Sequence, residues 1–211
     1  MSGLETNVEK TTLMPIGCLD ENLPEDVINL GFKIVTEIKC LGVVINNRAS
    51  NLASHFDGTI RKVRQLVGSW ERYNLSLPGK IGIAKTMLIS QIGYIGCIIT
   101  PTEAQLNTLQ ELIDGYVTRG IVLAKDRLYT KAREGGLGLI KLESYVAALQ
   151  CSWIKRCSKK INDSWRWTLA SACRFDFSNL RPDSLLESDH PILKNILVSF
   201  TKMRDNYSTI N

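Results

Sequence analysis

Trp70-Glu71-Arg72-Tyr73-Asn74-Leu75-Ser76-Leu77-Pro78-Gly79-Lys80-Ile81 joins two long amphipathic helical patterns within the most basic part of the chain. Upstream, Phe56, Ile60, Val63, Val67 and Trp70 fall at i, i+4, i+7, i+11 and i+14, one stripe of a helix. Burying each large apolar side chain on such a stripe gives about 1.5 to 3 kcal/mol, so this helix has to dock on something. Arg61, Arg64 and Arg72 project from a different face, with Lys62 on the far flank. Downstream, Ser76 is placed to cap a second helix, and Pro78 lies in its first turn, where a missing amide costs little. Leu77, Ile81, Ala84, Leu88 and Ile95 form its apolar stripe, while Gly82, Thr86 and Gly93 line another face with small residues that let a neighbouring helix come close. The run Ile81 to Thr100 is apolar, yet Lys85, Thr86, Ser90 and Gln91 interrupt it at mid-depth, where a charge in a bilayer is costly. The run is therefore read as a packed helix and not as a membrane span.

Working outward, Pro101 ends this helix, and Thr102 with Gln105 forms a capping-box signature for a third. Leu106, Leu109, Ile113, Tyr116 and Val117 share its inner face, and Gly120 ends it. Three helices with short connections predict a small bundle over residues 48–120. Residues 121–160 form a connector: Ile121 to Ile140 lacks a helical period and carries Arg127-Leu128-Tyr129, Lys131 and Arg133 ahead of the turn Glu134-Gly135-Gly136-Leu137-Gly138-Leu139. A fourth helix from about Ser144 to Cys157 turns Tyr145, Leu149, Trp153 and Ile154 inward and gathers Lys155, Arg156, Lys159 and Lys160 at its end, where cations suit the helix dipole. Residues 161–211 are expected to be a helical extension, with a last helix from Pro191. Toward the N-terminus, residues 1–29 are expected to be irregular. Residues 30–47 are read as a β element: Ile34, Thr36 and Ile38 alternate with Lys33, Val35, Glu37 and Lys39, and Leu41 to Ile45 comes next as a neighbouring strand. Gly42 in that second run fits a bulge or a close backbone approach.

A chain of 211 residues with 44% hydrophobic residues can bury a core. Its charge is uneven. Residues 1–47 carry 3 Lys/Arg against 7 Asp/Glu, residues 48–160 carry 17 against 8, and residues 161–211 carry 6 of each. The excess of positive charge thus lies on the helical region, as expected of a surface that lies along phosphates. Cys18, Cys40, Cys97, Cys151, Cys157 and Cys173 show no tight pairing, and Met1 to Lys10 lacks an apolar signal core. The expected setting is intracellular, in cytoplasm or nucleus.

Several chemistries are set aside by spacing. Gly79-Lys80 lacks the glycine five residues earlier and the following Ser or Thr of a phosphate loop. Gly136-Leu137-Gly138 lacks the third glycine of a dinucleotide fingerprint. Cys151, Cys157, Cys173 and His190 lack the tight knuckle of a structural zinc site. His55 and His190 have no nucleophile partner nearby in sequence. Asp20, Glu21, Glu25 and Asp26 form an acidic cluster in a polar segment and are read as solvated surface.

The block Lys39-Cys40-Leu41-Gly42-Val43-Val44-Ile45, the stretch from Trp70 to Ile81, and Glu134 to Leu139, in that order, resemble the region just past the catalytic palm in reverse transcriptases of non-LTR retrotransposons, the long interspersed element class. The resemblance covers roughly Leu30 to Lys160. It implies a mainly α fold with a short N-terminal β element, in which a helical thumb-like bundle succeeds the last strands of a polymerase palm. It further implies a parent activity of RNA-directed DNA polymerisation, in a transposable element. Those enzymes hold two metal ions on a Y/F-x-D-D motif and a further Asp, and no Asp-Asp pair occurs in this chain. The chain alone is expected to be inactive and to hold no cofactor, Mg2+ belonging to the full-length polymerase. Its implied partners are the missing palm and fingers and an RNA–DNA or similar duplex, gripped without sequence preference through Arg61, Lys62, Arg64, Arg72, Lys80 and Lys85. Gly42 would lie beside the primer grip. The alternative is a decayed or domesticated remnant that binds proteins and no nucleic acid, through Trp165, Trp167 and Phe175.

Overall fold

The computed structural model describes residues 7–15, 24–40, 42–46, 54–157 and 196–201. The chain divides into two compact units, Met1–His55 and Phe56–Asn211. It is mainly helical, and its strands lie near the N-terminus.

In the first unit, β1 (Thr12–Leu13) pairs in parallel with β2 (Lys33–Ile34). A single helical turn, α1 (Glu25–Ile28), precedes β2 and starts with Glu25 and Asp26, acids placed where the helix dipole favours them. β3 (Glu37–Cys40) and β4 (Val43–Asn46) form an antiparallel pair with Glu37 opposite Asn46 and Cys40 opposite Val43. Gly42 leads into β4 at φ +86, a backbone conformation that costs glycine little and most other residues more. The expected strand from Lys33 to Lys39 is thus split into β2 and β3 by a bend near Thr36. The segment expected to be irregular, residues 1–29, holds β1 and α1, both too short to show a period in sequence.

The second unit begins in α2 (Ser54–Trp70), which buries Phe56, Thr59, Val63 and Val67. Next comes α3 (Leu77–Ile83), with proline in its first turn and Ser76 in an extended N-cap conformation. The chain continues through a π-helical stretch, Ala84–Leu88, into α4 (Ser90–Gly96). An extra residue in the turn rotates the downstream side chains relative to a plain α-helix, which explains the mixed fate of the expected stripe. Ile81, Ala84 and Leu88 are buried as the spacing predicts, but Ile89 and Ile92 are buried too. The small-residue face is rotated apart in the same way. Gly82 and Thr86 are exposed, while Gly93 and Gly96 let α7 (Leu142–Cys157) approach: a Cβ would meet Tyr145 Oη at 2.8 Å at Gly93 and Val146 Cγ2 at 3.3 Å at Gly96.

Thr102 starts α5 (Glu103–Thr118) with the complete capping box: its hydroxyl accepts from the Gln105 amide at 3.3 Å, and its own amide donates to Gln105 Oε1 at 3.0 Å. Leu109, Ile113, Tyr116 and Val117 fill the core. Polar pairs join the ends of α2 and α5. Gln105 Nε2 donates to Asp57 Oδ1 at 2.8 Å near both starts, and Arg119 pairs with Glu71 just past both ends. The two helices therefore run in the same direction and in register.

Residues 121–140, which show no helical period in sequence, contain α6 (Lys125–Tyr129) and a 3-10 turn, Ala132–Glu134. Five residues are too few to make a stripe, so the period is silent there. The glycine-rich segment folds back on α6 through Leu137 N to Arg127 O (2.8 Å), Gly138 N to Thr130 O (2.8 Å) and Leu139 N to Leu128 O (2.7 Å). Tyr129 Oη donates to Asp114, Gln110 Nε2 donates to the same carboxylate at 2.9 Å, and Gln110 Oε1 accepts the Leu142 amide at 2.8 Å. One polar chain thus ties α5, α6 and the start of α7 together.

On α7, Leu142, Val146, Gln150 and Ile154 form the buried row, one position round from the expected Tyr145, Leu149 and Trp153, which are half-buried. Gln150 is satisfied within the protein: its amide donates to Gly96 O (3.3 Å) and Thr100 Oγ1 (2.8 Å), and its carbonyl accepts from Ser199 Oγ (2.7 Å). Residues 196–201 are helical, with Ile196 and Leu197 buried. Trp165, Trp167 and Phe175 lie outside the described residues. Among the described residues no helix is long and apolar enough to cross a membrane.

Candidate nucleic-acid interface

The sequence-derived cations fall into three settings. Arg61, Lys62 and Arg64 stand exposed along the middle of α2, opposite or flanking its buried row. Helical geometry separates them: Arg61 and Arg64 lie about 60° apart around the axis, but Lys62 and Arg64 lie about 160° apart, on opposite flanks. Arg61 and Arg64 share a face, and Lys62 does not belong to it.

Arg72 and Lys80 sit at the end of the bundle where α2 stops and α3 starts. Arg72 is exposed. Lys80 is half-buried and its ammonium donates to Arg119 O at 2.9 Å, the carbonyl that closes α5. A cation at a helix C-terminus answers the carbonyl dipoles there, so Lys80 is committed to the fold more than to a ligand. Nearby, burial and then the carboxylate of Glu71, which pairs with Arg119, raise the Tyr116 phenol above its usual range. The Tyr116 hydroxyl is the buried side-chain polar atom among the described residues that finds no hydrogen-bond partner.

Lys85 is exposed on the π-helical stretch, and its ammonium lies 3.7 Å from where a side chain on Gly138 would begin. Fifty-three residues separate the two in sequence, so no local signal announces the meeting. The connector that carries Gly138 also bears Lys125, Arg127, Lys131, Arg133 and Lys141. Lys141 Nζ sits 5.3 Å from the centre of the Tyr129 ring, and Arg133 pairs with Glu134. Burial, then the bond to Asp114, raises the Tyr129 phenol well above its ordinary value.

Gly42 is exposed, with open space where a side chain would stand. It belongs to the first unit, whereas the cations belong to the second. Among the described residues no group of three or more His, Cys, Asp or Glu is gathered as metal ligands. Burial raises the thiols of Cys97 and Cys151, which leaves them protonated and poorly nucleophilic. Chemically, the arrangement offers a set of exposed, permanently charged donors suited to phosphate oxygens. The chain matches no known family model and no curated protein.

Proposed function

We propose that this chain is the thumb portion of an RNA-directed DNA polymerase of the retrotransposon type, and that it grips template-primer duplex by the sugar-phosphate backbone without reading sequence. One observation carries the proposal. Arg61, Lys62, Arg64, Arg72 and Lys85 are all exposed, and none forms an ion pair with another described residue, unlike Arg119 with Glu71 and Arg133 with Glu134. Cations that balance carboxylates add nothing to a phosphate contact, whereas unpaired ones release counterions when they meet one. Long, flexible side chains on helices touch phosphates at many positions along a duplex, which suits an enzyme that accepts any sequence. The proposal assigns no metal-dependent step to this chain, since the acid pair that such a step needs is missing from the sequence.

The test is a filter-binding titration of an RNA–DNA hybrid against the full chain at salt concentrations from about 50 to about 200 mM. The expected result is micromolar binding that falls steeply with salt. Arg61→Gln with Arg64→Gln should lower the slope of log K against log salt by about 1.8, the loss of two phosphate contacts. Lys80 is left intact because its ammonium closes α5. Affinity independent of salt overturns the proposal.

A further inference from the structure

We infer that the phosphate grip extends beyond the arginines of α2 to a second site, Lys85 at the open face of Gly138. The inference rests on the duplex-binding proposal above and names a second place where that binding acts.

Three observations converge on this place. First, Lys85 lies in the π-helical stretch Ala84–Leu88. Such stretches strain the helix and are found disproportionately where a side chain has to be aimed at a function. Lys85 is exposed there, while Ala84 and Leu88 of the same stretch are fully buried, so the core fixes the backbone from which it projects.

Second, Gly138 adopts φ +61 and has no side chain, and the space where a Cβ would sit is bordered by Lys85 Nζ and the Ala132 amide nitrogen, each at 3.7 Å. The ammonium and the amide are therefore no farther apart than the two distances laid end to end, within the span that one phosphate bridges. The amides of Gly135, Gly136, Leu137, Gly138 and Leu139 are all spent on protein carbonyls. The loop is thus not a nest of free amides. It is a frame closed by its own bonds, with the Lys85 ammonium beside its opening.

Third, the charge of the segment that carries the opening is one-sided. Residues 125–141 carry five basic residues against two acidic ones. One of the two acids, Glu134, already pairs with Arg133. Lys131 and Arg133 flank Ala132, whose nitrogen borders the same opening, and both are exposed. Cations from two regions distant in sequence thus meet at one loop, whereas Lys62 and Arg64 point to opposite sides of α2. A duplex backbone is the anion that fits this layout: successive phosphates can engage the unpaired Lys85 and Lys131 in turn.

The test measures salt-dependent binding of an RNA–DNA hybrid by the full chain carrying Lys85→Gln, Gly138→Asp or Gly138→Asn. Asp and Asn both tolerate the left-handed backbone of position 138. Only Asp puts a carboxylate against the Lys85 ammonium. Lys85→Gln should lower the salt slope by about 0.9. Gly138→Asp should lower it at least as much, and Gly138→Asn should keep the wild-type slope. Circular dichroism melting of all three variants reports whether the fold is intact. If the wild type binds steeply with salt and only the Arg61/Arg64 pair changes the slope, this inference fails and the duplex-binding proposal stands. If Gly138→Asn and Gly138→Asp weaken binding equally with unchanged melting, the loop acts by shape and the Lys85 assignment fails. If the wild type shows no salt-dependent binding, both fail.

Discussion

Gly136→Ala tests how the connector is built. A Cβ at position 136 would stand 2.1 Å from the Thr130 carbonyl oxygen, 2.4 Å from its carbon and 2.5 Å from Thr130 Cβ. Two of these atoms are main chain, so no rotamer change relieves the contact. The loop has to lift from α6 by about an ångström, and the bonds from the Leu137, Gly138 and Leu139 amides to Arg127, Thr130 and Leu128 stretch or break. At about 1 kcal/mol each, three such bonds amount to about 3 kcal/mol. Any exposure of Leu139, now 3% accessible, adds to that. For a chain of this size about 3 kcal/mol corresponds to roughly 6 to 12 °C in Tm. Urea unfolding and thermal melting followed by circular dichroism measure it directly. Gly115→Ala is the control: it changes an exposed helical glycine of α5 with nothing within 4 Å of the added carbon, and should stabilise by about 0.5 to 1 kcal/mol. A Gly136→Ala protein within about 0.5 kcal/mol of wild type would refute the reasoning, because ordinary surface substitutions fall in that range.

The polar ties give two further outcomes. Gln150→Ala removes a buried side chain that bridges Gly96, Thr100 and Ser199, and should cost about 2 to 4 kcal/mol in urea unfolding, through the cavity and the partners left unpaired. The Tyr129 phenol has a raised pKa in the folded chain, by burial and then by its bond to Asp114. Its contribution is therefore complete below the ordinary phenol value of 10.0 and fades as pH rises above it, because the unfolded chain gives up the proton first. Tyr116 acts with the same sign. Melting temperature should fall above pH 10.0, and less steeply in Tyr129→Phe; equal slopes in the two proteins would count against the assignment.

The parts of the fold legible in sequence are those governed by local rules. The α5 capping box needs only Thr102 and Gln105 and is found where the spacing puts it; the α2 stripe is found at Phe56, Val63 and Val67, while Thr59 is buried and Ile60 and Trp70 are half-buried. The second helix departs from its pattern at Ala84–Leu88 because a π turn has no period of its own and shifts the stripe to include Ile89 and Ile92. The candidate site divides in the same way. Arg61 and Arg64 are readable as one face of α2, since helical spacing fixes their angle. The commitment of Lys80 to Arg119 and the approach of Lys85 to Gly138 depend on contacts across long stretches of chain, which no window of sequence contains.

The matched fastenings of α2 to α5 carry a kinetic consequence. Asp57 meets Gln105, and Glu71 meets Arg119, each across 48 positions. Closing a segment of that length forfeits roughly 3.4 kcal/mol of chain freedom by the logarithmic rule, apart from its constant. Seating α7 on α4 closes segments at least as long, Gln150 to Gly96 across 54 positions and Trp153 to Cys97 across 56, so the arginine-bearing helix is expected to lock in the same cooperative step as the rest of the bundle.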